Sequence, residues 1–79
     1  MSKAIILNSL LKEVFKLTDG QLGDELTPDD VETWTSVSHM DLMARFEQEF
    51  GLQLDVEEIT EMDSLGAMRK ILRKHGIDV

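Results

Sequence analysis

Apolar residues recur along much of this chain at intervals of three and four, the period of a helix with one buried face. From Lys3 to Leu17 the recurring set is Ile6, Leu7, Leu10, Leu11, Val14 and Phe15. Ser2 is placed to cap that helix and Asp19-Gly20 to stop it. The period then lapses. Gln21 to Trp34 is punctuated by Gly23 and Pro28 and crowded with acids from Asp24 to Glu32. Thr27-Pro28-Asp29-Asp30 has the order of an N-cap, a proline at the first helical position and early acids. This predicts a long ordered loop with at most one short helical turn, pinned by Leu22, Leu26, Val31 and Trp34. Loops this long in a compact fold are usually functional.

The period resumes from Ser36 to Phe50 through Val37, Met40, Met43, Phe46 and Phe50, with Leu42 widening the apolar face and Gly51 ending the run. Leu52-Gln53-Leu54 reads as a brief extended link. Asp55 caps a short helix to about Met62, with Glu57 and Glu58 in its first turn, where the helix dipole favours acids. Asp63-Ser64 caps a last helix from about Leu65 to His75, with Leu65, Met68, Ile71 and Leu72 as its buried stripe. Arg69, Lys70, Arg73 and Lys74 suit its C-terminal end, and Gly76 stops it. No period-two strand pattern appears. The predicted fold class is all-α: a small four-helix bundle with three longer helices, a short third helix and a long loop between the first two.

Length and charge narrow the function. Seventy-nine residues predict a single domain spanning 1–79, too small to enclose a deep active site. Sixteen acids against eight bases give a formal net charge of −8. Such a field repels nucleic-acid phosphates and anionic lipid and attracts proteins with basic surfaces. With 42% hydrophobic residues the chain still has material for a core. The absence of cysteine removes disulfides and thiolate metal sites and fits a reducing cytoplasm. The apolar run of Met1 to Leu11 is broken by Asn8 and Ser9 and reads as neither a signal peptide nor a membrane span. A monomer in the cytoplasm, without membrane insertion, is the expectation.

The informative stretch is Trp34-Thr35-Ser36-Val37-Ser38-His39-Met40-Asp41-Leu42-Met43-Ala44-Arg45-Phe46-Glu47-Gln48-Glu49-Phe50-Gly51. It resembles the attachment-site region of acyl carrier proteins, where a serine heads the second helix and is followed by an apolar residue. Met40-Asp41-Leu42 stands where that family has a V-E-L-like triplet, and Phe46-Glu47-Gln48-Glu49-Phe50 where it has an L-E-E-E-F-like run. The likeness extends over nearly the whole chain. It implies that Ser36 carries 4'-phosphopantetheine, transferred from coenzyme A by a phosphopantetheinyl transferase. Acyl groups would then be held as thioesters on that arm for synthases, reductases and acyltransferases, with the acyl chain entering between helices. It further implies that Val37, Met40, Asp41, Ala44 and Glu47 face outward and dock basic patches on those enzymes. The protein would carry a cargo and catalyse nothing itself.

Physical chemistry supports the same serine. A hydroxyl at the first position of a helix projects from the bundle end, and nearby N–H groups and the positive helix terminus favour a phosphate. Thr35 departs from the family, which usually has aspartate before the serine. Threonine preserves the cap but removes a negative charge, and together with Arg45 it points to a specialised partner set. Asp63-Ser64-Leu65 reproduces the family's familiar triplet, yet only a basic helix follows it, so Ser64 reads as an N-cap.

Other chemistry is poorly supported. Asp19 to Asp30 lacks the ligand spacing of a calcium loop, and two distant histidines make no zinc site. His39 is expected in solvent and His75 as a helix-end cation. Divalent cations are expected to stabilise the fold through the acids near Asp24 to Glu32 or Asp41 to Glu49. Two alternatives stand beside the acyl carrier. One is an aminoacyl, D-alanyl or peptidyl carrier, although Trp34-Thr35 does not match the usual signature. The other is a carrier-like helical adaptor with no prosthetic group.

Overall fold

The computed structural model describes residues 2–79, and every regular element in them is helical. Helix α1 spans Lys3–Phe15, with Ser2 Oγ accepting from the Ile5 N–H at 3.2 Å. It buries Leu7, Leu10, Leu11 and Phe15. It ends before the expected Leu17 because Lys16 turns left-handed, at φ 59° and ψ 36°, which breaks the helical hydrogen-bond ladder. Leu17 is still buried, delivered from outside the helix. Asp19, expected to help stop α1, instead opens a 3₁₀ turn, Asp19–Gln21, and pairs with Lys12 Nζ at 2.7 Å.

Helix α2, Ser36–Phe50, has the span the sequence predicts and closes on Gly51 at φ 64°. Its inner face is Leu42, Met43 and Phe46. Helix α3, Val56–Glu61, is held by a reciprocal cap: Asp55 Oδ1 accepts from the Glu58 N–H at 2.8 Å, and Glu58 Oε1 from the Asp55 N–H at 3.2 Å. Helix α4, Leu65–Lys74, buries Leu65, Met68, Ile71 and Leu72. His75, expected only as a helix-end cation, donates from Nε2 to Glu58 Oε2 at 2.7 Å and so ties the end of α4 to α3.

One hydrophobic cluster joins α1, α2 and α4 with Val31, Trp34, Leu54 and Met62 from the links between them. Helix α1 packs on α2, and the Phe15 ring stacks on Trp34 with centroids 4.7 Å apart. Met43, Met62 and Met68 are almost wholly enclosed and fill the gaps between branched side chains.

The loop before α2 is ordered, with a single short turn at Pro28–Asp30 after the Asp19–Gln21 turn. Val31 and Trp34 are buried, while Leu22 and Leu26 are half-buried against the core. Its main chain is fastened to the head of α4. Leu65 N–H donates to Leu26 O at 3.0 Å and Gly66 N–H to Asp24 O at 2.9 Å. Arg69, a cation that suits the dipole of α4, also holds Leu22 O at 2.7 Å and the Asp24 carboxylate through its guanidinium. The approach is close enough that a Cβ on Gly66 would lie 3.0 Å from Asp24 Cβ and 3.1 Å from its carbonyl oxygen.

Candidate functional site

Three of the four helices begin just after or at a serine, and the amino ends of α2 and α4 differ. In α2, Thr35 is the cap: its Oγ1 accepts from the Ser38 N–H at 3.2 Å, and Ser38 Oγ accepts from the Thr35 N–H at 2.8 Å. Ser38 Oγ also donates to Thr33 O at 2.7 Å. Ser36, the first helical residue, takes no part in this and is exposed. Among the described residues its hydroxyl has no hydrogen-bond partner, nor do the N–H groups of Ser36 and Val37. A hydroxyl, two free donors and the positive end of a fifteen-residue helix therefore converge.

In α4 the corresponding groups are occupied. Ser64 is half-buried and its Oγ accepts from the Ala67 N–H at 3.0 Å. The next two N–H groups, of Leu65 and Gly66, are taken by the loop carbonyls of Leu26 and Asp24. Ser64 is a cap, as its sequence context predicts.

A cavity of about 430 Å³ opens beside Ser36, with Trp34, His39, Met40, Ile59, Met62 and Asp63 in its lining. His39 was expected in solvent, but it is half-buried in this wall. Trp34 Nε1–H donates to its Nδ1 at 3.0 Å, and its Nε2 lies 2.9 Å from Ile59 O. No sequence signal could place Ile59, because it sits on α3, twenty residues along the chain.

The residues expected to face partners lie as follows. Val37 is 81% exposed and Met40 53% exposed, and Ala44 is exposed as well. Asp41 pairs with Arg45 at 3.3 Å, and Arg45 reaches on to Glu13 of α1 at 2.8 Å. These two carboxylates, Glu13 first, raise the arginine's already high pKa. Glu47 is half-buried, with Oε2 accepting from the Leu54 N–H at 2.9 Å, so it fastens the link to α3. Val56, 79% exposed at the start of α3, adds an outward apolar residue that the sequence pattern does not single out. Among the described residues no three His, Asp or Glu side chains gather as a metal site. Among them, too, no helix is long and apolar enough to cross a membrane.

Helix order, the long tied-down loop, the short third helix and an open serine at the head of α2 define a small four-helix bundle. The chain has the acyl carrier protein fold. It superposes on the solution structure of a holo acyl carrier protein from Geobacter metallireducens with a TM-score of 0.73 and 23% identity, over 100% of this chain and 97% of that one. No family model and no curated protein matches the chain.

Proposed function

We propose that this protein is an acyl carrier with Ser36 as the attachment point of a 4'-phosphopantetheine arm. The observation that carries the reading is the open amino end of α2 set against the filled amino end of α4. A phosphodiester on Ser36 Oγ would meet the free N–H groups of Ser36 and Val37 and the positive end of α2. The residues present therefore fit the group. When bound, it supplies a thiol that holds acyl cargo as a thioester. The chain's own residues anchor, shelter and present. The cavity beside Ser36 offers an apolar surface from Trp34, Met40, Ile59 and Met62 to an acyl chain. The holo state of the Geobacter protein supports the same reading.

Docking falls to the outward side of α2. Val37 and Met40 offer apolar contact, Ala44 leaves room for approach, and Asp41 and Glu47 contribute negative charge toward basic patches on a phosphopantetheinyl transferase and on acyl-processing enzymes. Arg45 already shares Asp41, so the field at that point is weaker than the acid count implies. The protein itself performs no catalysis in this scheme and works in the cytoplasm.

Intact-mass analysis after incubation with coenzyme A and a broad-specificity transferase tests the assignment. A mass gain in the wild type and none in Ser36→Ala is expected. No gain, or a gain that persists in Ser36→Ala, overturns it. Thr35, in place of the family's usual aspartate, favours one competing reading, an arm-free adaptor. That reading requires Ser36→Ala to be fully functional and protein from its natural source to lack the arm.

A further inference from the structure

Both nitrogens of the His39 ring are engaged, and chemistry fixes which does what. An indole N–H can only donate, so the Trp34 contact makes Nδ1 the acceptor and places the ring proton on Nε2. That proton points at Ile59 O, which can only accept. Ile59 lies in the last turn of α3, where helix carbonyls lack a partner of their own. Asp63 N–H, which would serve Ile59 O in a longer helix, turns to Glu61 O instead. His39 thus joins three pieces of chain: the loop end at Trp34, α2, and the close of α3. All three line the cavity beside Ser36. Met62 lines it as well and is 1% exposed within the main hydrophobic cluster, so the core begins where the cavity ends.

We propose that the His39 bridge is a chain-length gate, a reading that rests on Ser36 carrying an acyl thioester. Short or polar acyl groups stay at the cavity mouth with the thioester open to solvent. A longer saturated chain reaches the core only by parting α2 from α3, which breaks the bond from His39 Nε2 to Ile59 O, while the Trp34 indole, on the α2 side, fixes the ring tautomer that makes that bond. Each buried donor or acceptor left bare weighs roughly tenfold against the open state. Each methylene buried favours it about fourfold. The donor and the acceptor of that one broken bond therefore amount to about a hundredfold, which roughly three to four methylenes beyond the cavity's reach recover. The gate gives a threshold in chain length where a preformed tunnel would give a gradual increase.

The experiment loads the full chain from straight-chain acyl-coenzyme A donors, acetyl to dodecanoyl, with a broad-specificity transferase. It then reads the rate at which hydroxylamine cleaves the thioester. In the wild type, short chains are cleaved at one common rate, and protection sets in abruptly with length. In His39→Ala the onset moves to shorter chains, with at least about tenfold greater protection just below the wild-type threshold. Trp34→Phe keeps an aromatic ring against Phe15 and deletes only the indole donor, so its onset falls between the two. It also serves if His39→Ala does not fold. His39→Gln retains an acceptor and a donor and restores the wild-type onset, which a merely space-filling histidine would not require. A common onset in wild type, Trp34→Phe and His39→Ala, or a His39→Gln that behaves like His39→Ala, overturns the gate while leaving the carrier reading intact. Failure to load Ser36 at all removes the carrier reading and the gate with it.

Discussion

Glu58 sits 6% exposed beneath the turn that starts α3, the one charged side chain buried among the described residues. The Asp55 N–H holds its carboxyl below the ordinary glutamate range, and His75 and Lys74 add to the effect against the opposing pull of burial. A depressed pKa in the fold means that the ionised form is bound more tightly folded than unfolded. Its contribution is therefore complete above the ordinary glutamate value, about 4.3, and is lost as pH falls through the lower folded value. Glu58→Gln should melt lower than the wild type at neutral pH and lose less on acidification, so the two melting curves converge in acid; parallel pH profiles would refute this. The sequence places Glu58 in a first turn, where an acid is expected, but does not reveal its partner. His39 and His75 were hidden for the same reason. Their partners Ile59 and Glu58 lie twenty and seventeen residues away, and helical periodicity says nothing about contacts between helices.

Caps were the most readable part of each helix, because a capping side chain bonds within three residues of itself. Ser2, Thr35, Asp55 and Ser64 all accept the N–H that their position predicts. The end of α1 was less readable, since a lysine rather than a glycine takes the left-handed turn. Lys16 is exposed and bears no ion pair among the described residues, so Lys16→Gly should relieve backbone strain and stabilise the protein by about 1 kcal/mol, measured by denaturant unfolding. The loop was legible as ordered, through Val31 and Trp34, but its fastening to α4 was not. Arg69 carries much of that fastening from a side chain only 14% exposed. Arg69→Met should cost about 1–2 kcal/mol and expose the loop near Asp24 to limited proteolysis, with α2 intact by helicity. An unchanged cleavage pattern would show that the backbone bonds at Leu65 and Gly66 suffice.

At the scale of the whole molecule, sequence was enough for fold class because the three longer helices each carry an apolar stripe and begin at a recognisable cap. The candidate site was legible only as a serine in context. That α2 leaves its amino end open while α4 fills its own depends on where the loop returns, which no local pattern encodes. The net charge of −8 sets up self-repulsion that cations relieve. Millimolar magnesium should raise the melting temperature by a few degrees through accumulation near the acids, and an unchanged temperature would contradict it. Association with a basic partner should weaken as sodium chloride rises, chiefly through a slower on-rate, as a stopped-flow titration would register. Half of the eight basic residues lie on one helix. Arg69, Lys70, Arg73 and Lys74 crowd α4, whereas α2 sets Asp41, Glu47 and Glu49 against Arg45 alone. Like a compass needle, such a body feels a torque before it feels a touch: a basic partner pushes α4 away and pulls α2 forward, so rotational search is shortened while the two proteins are still separated by water.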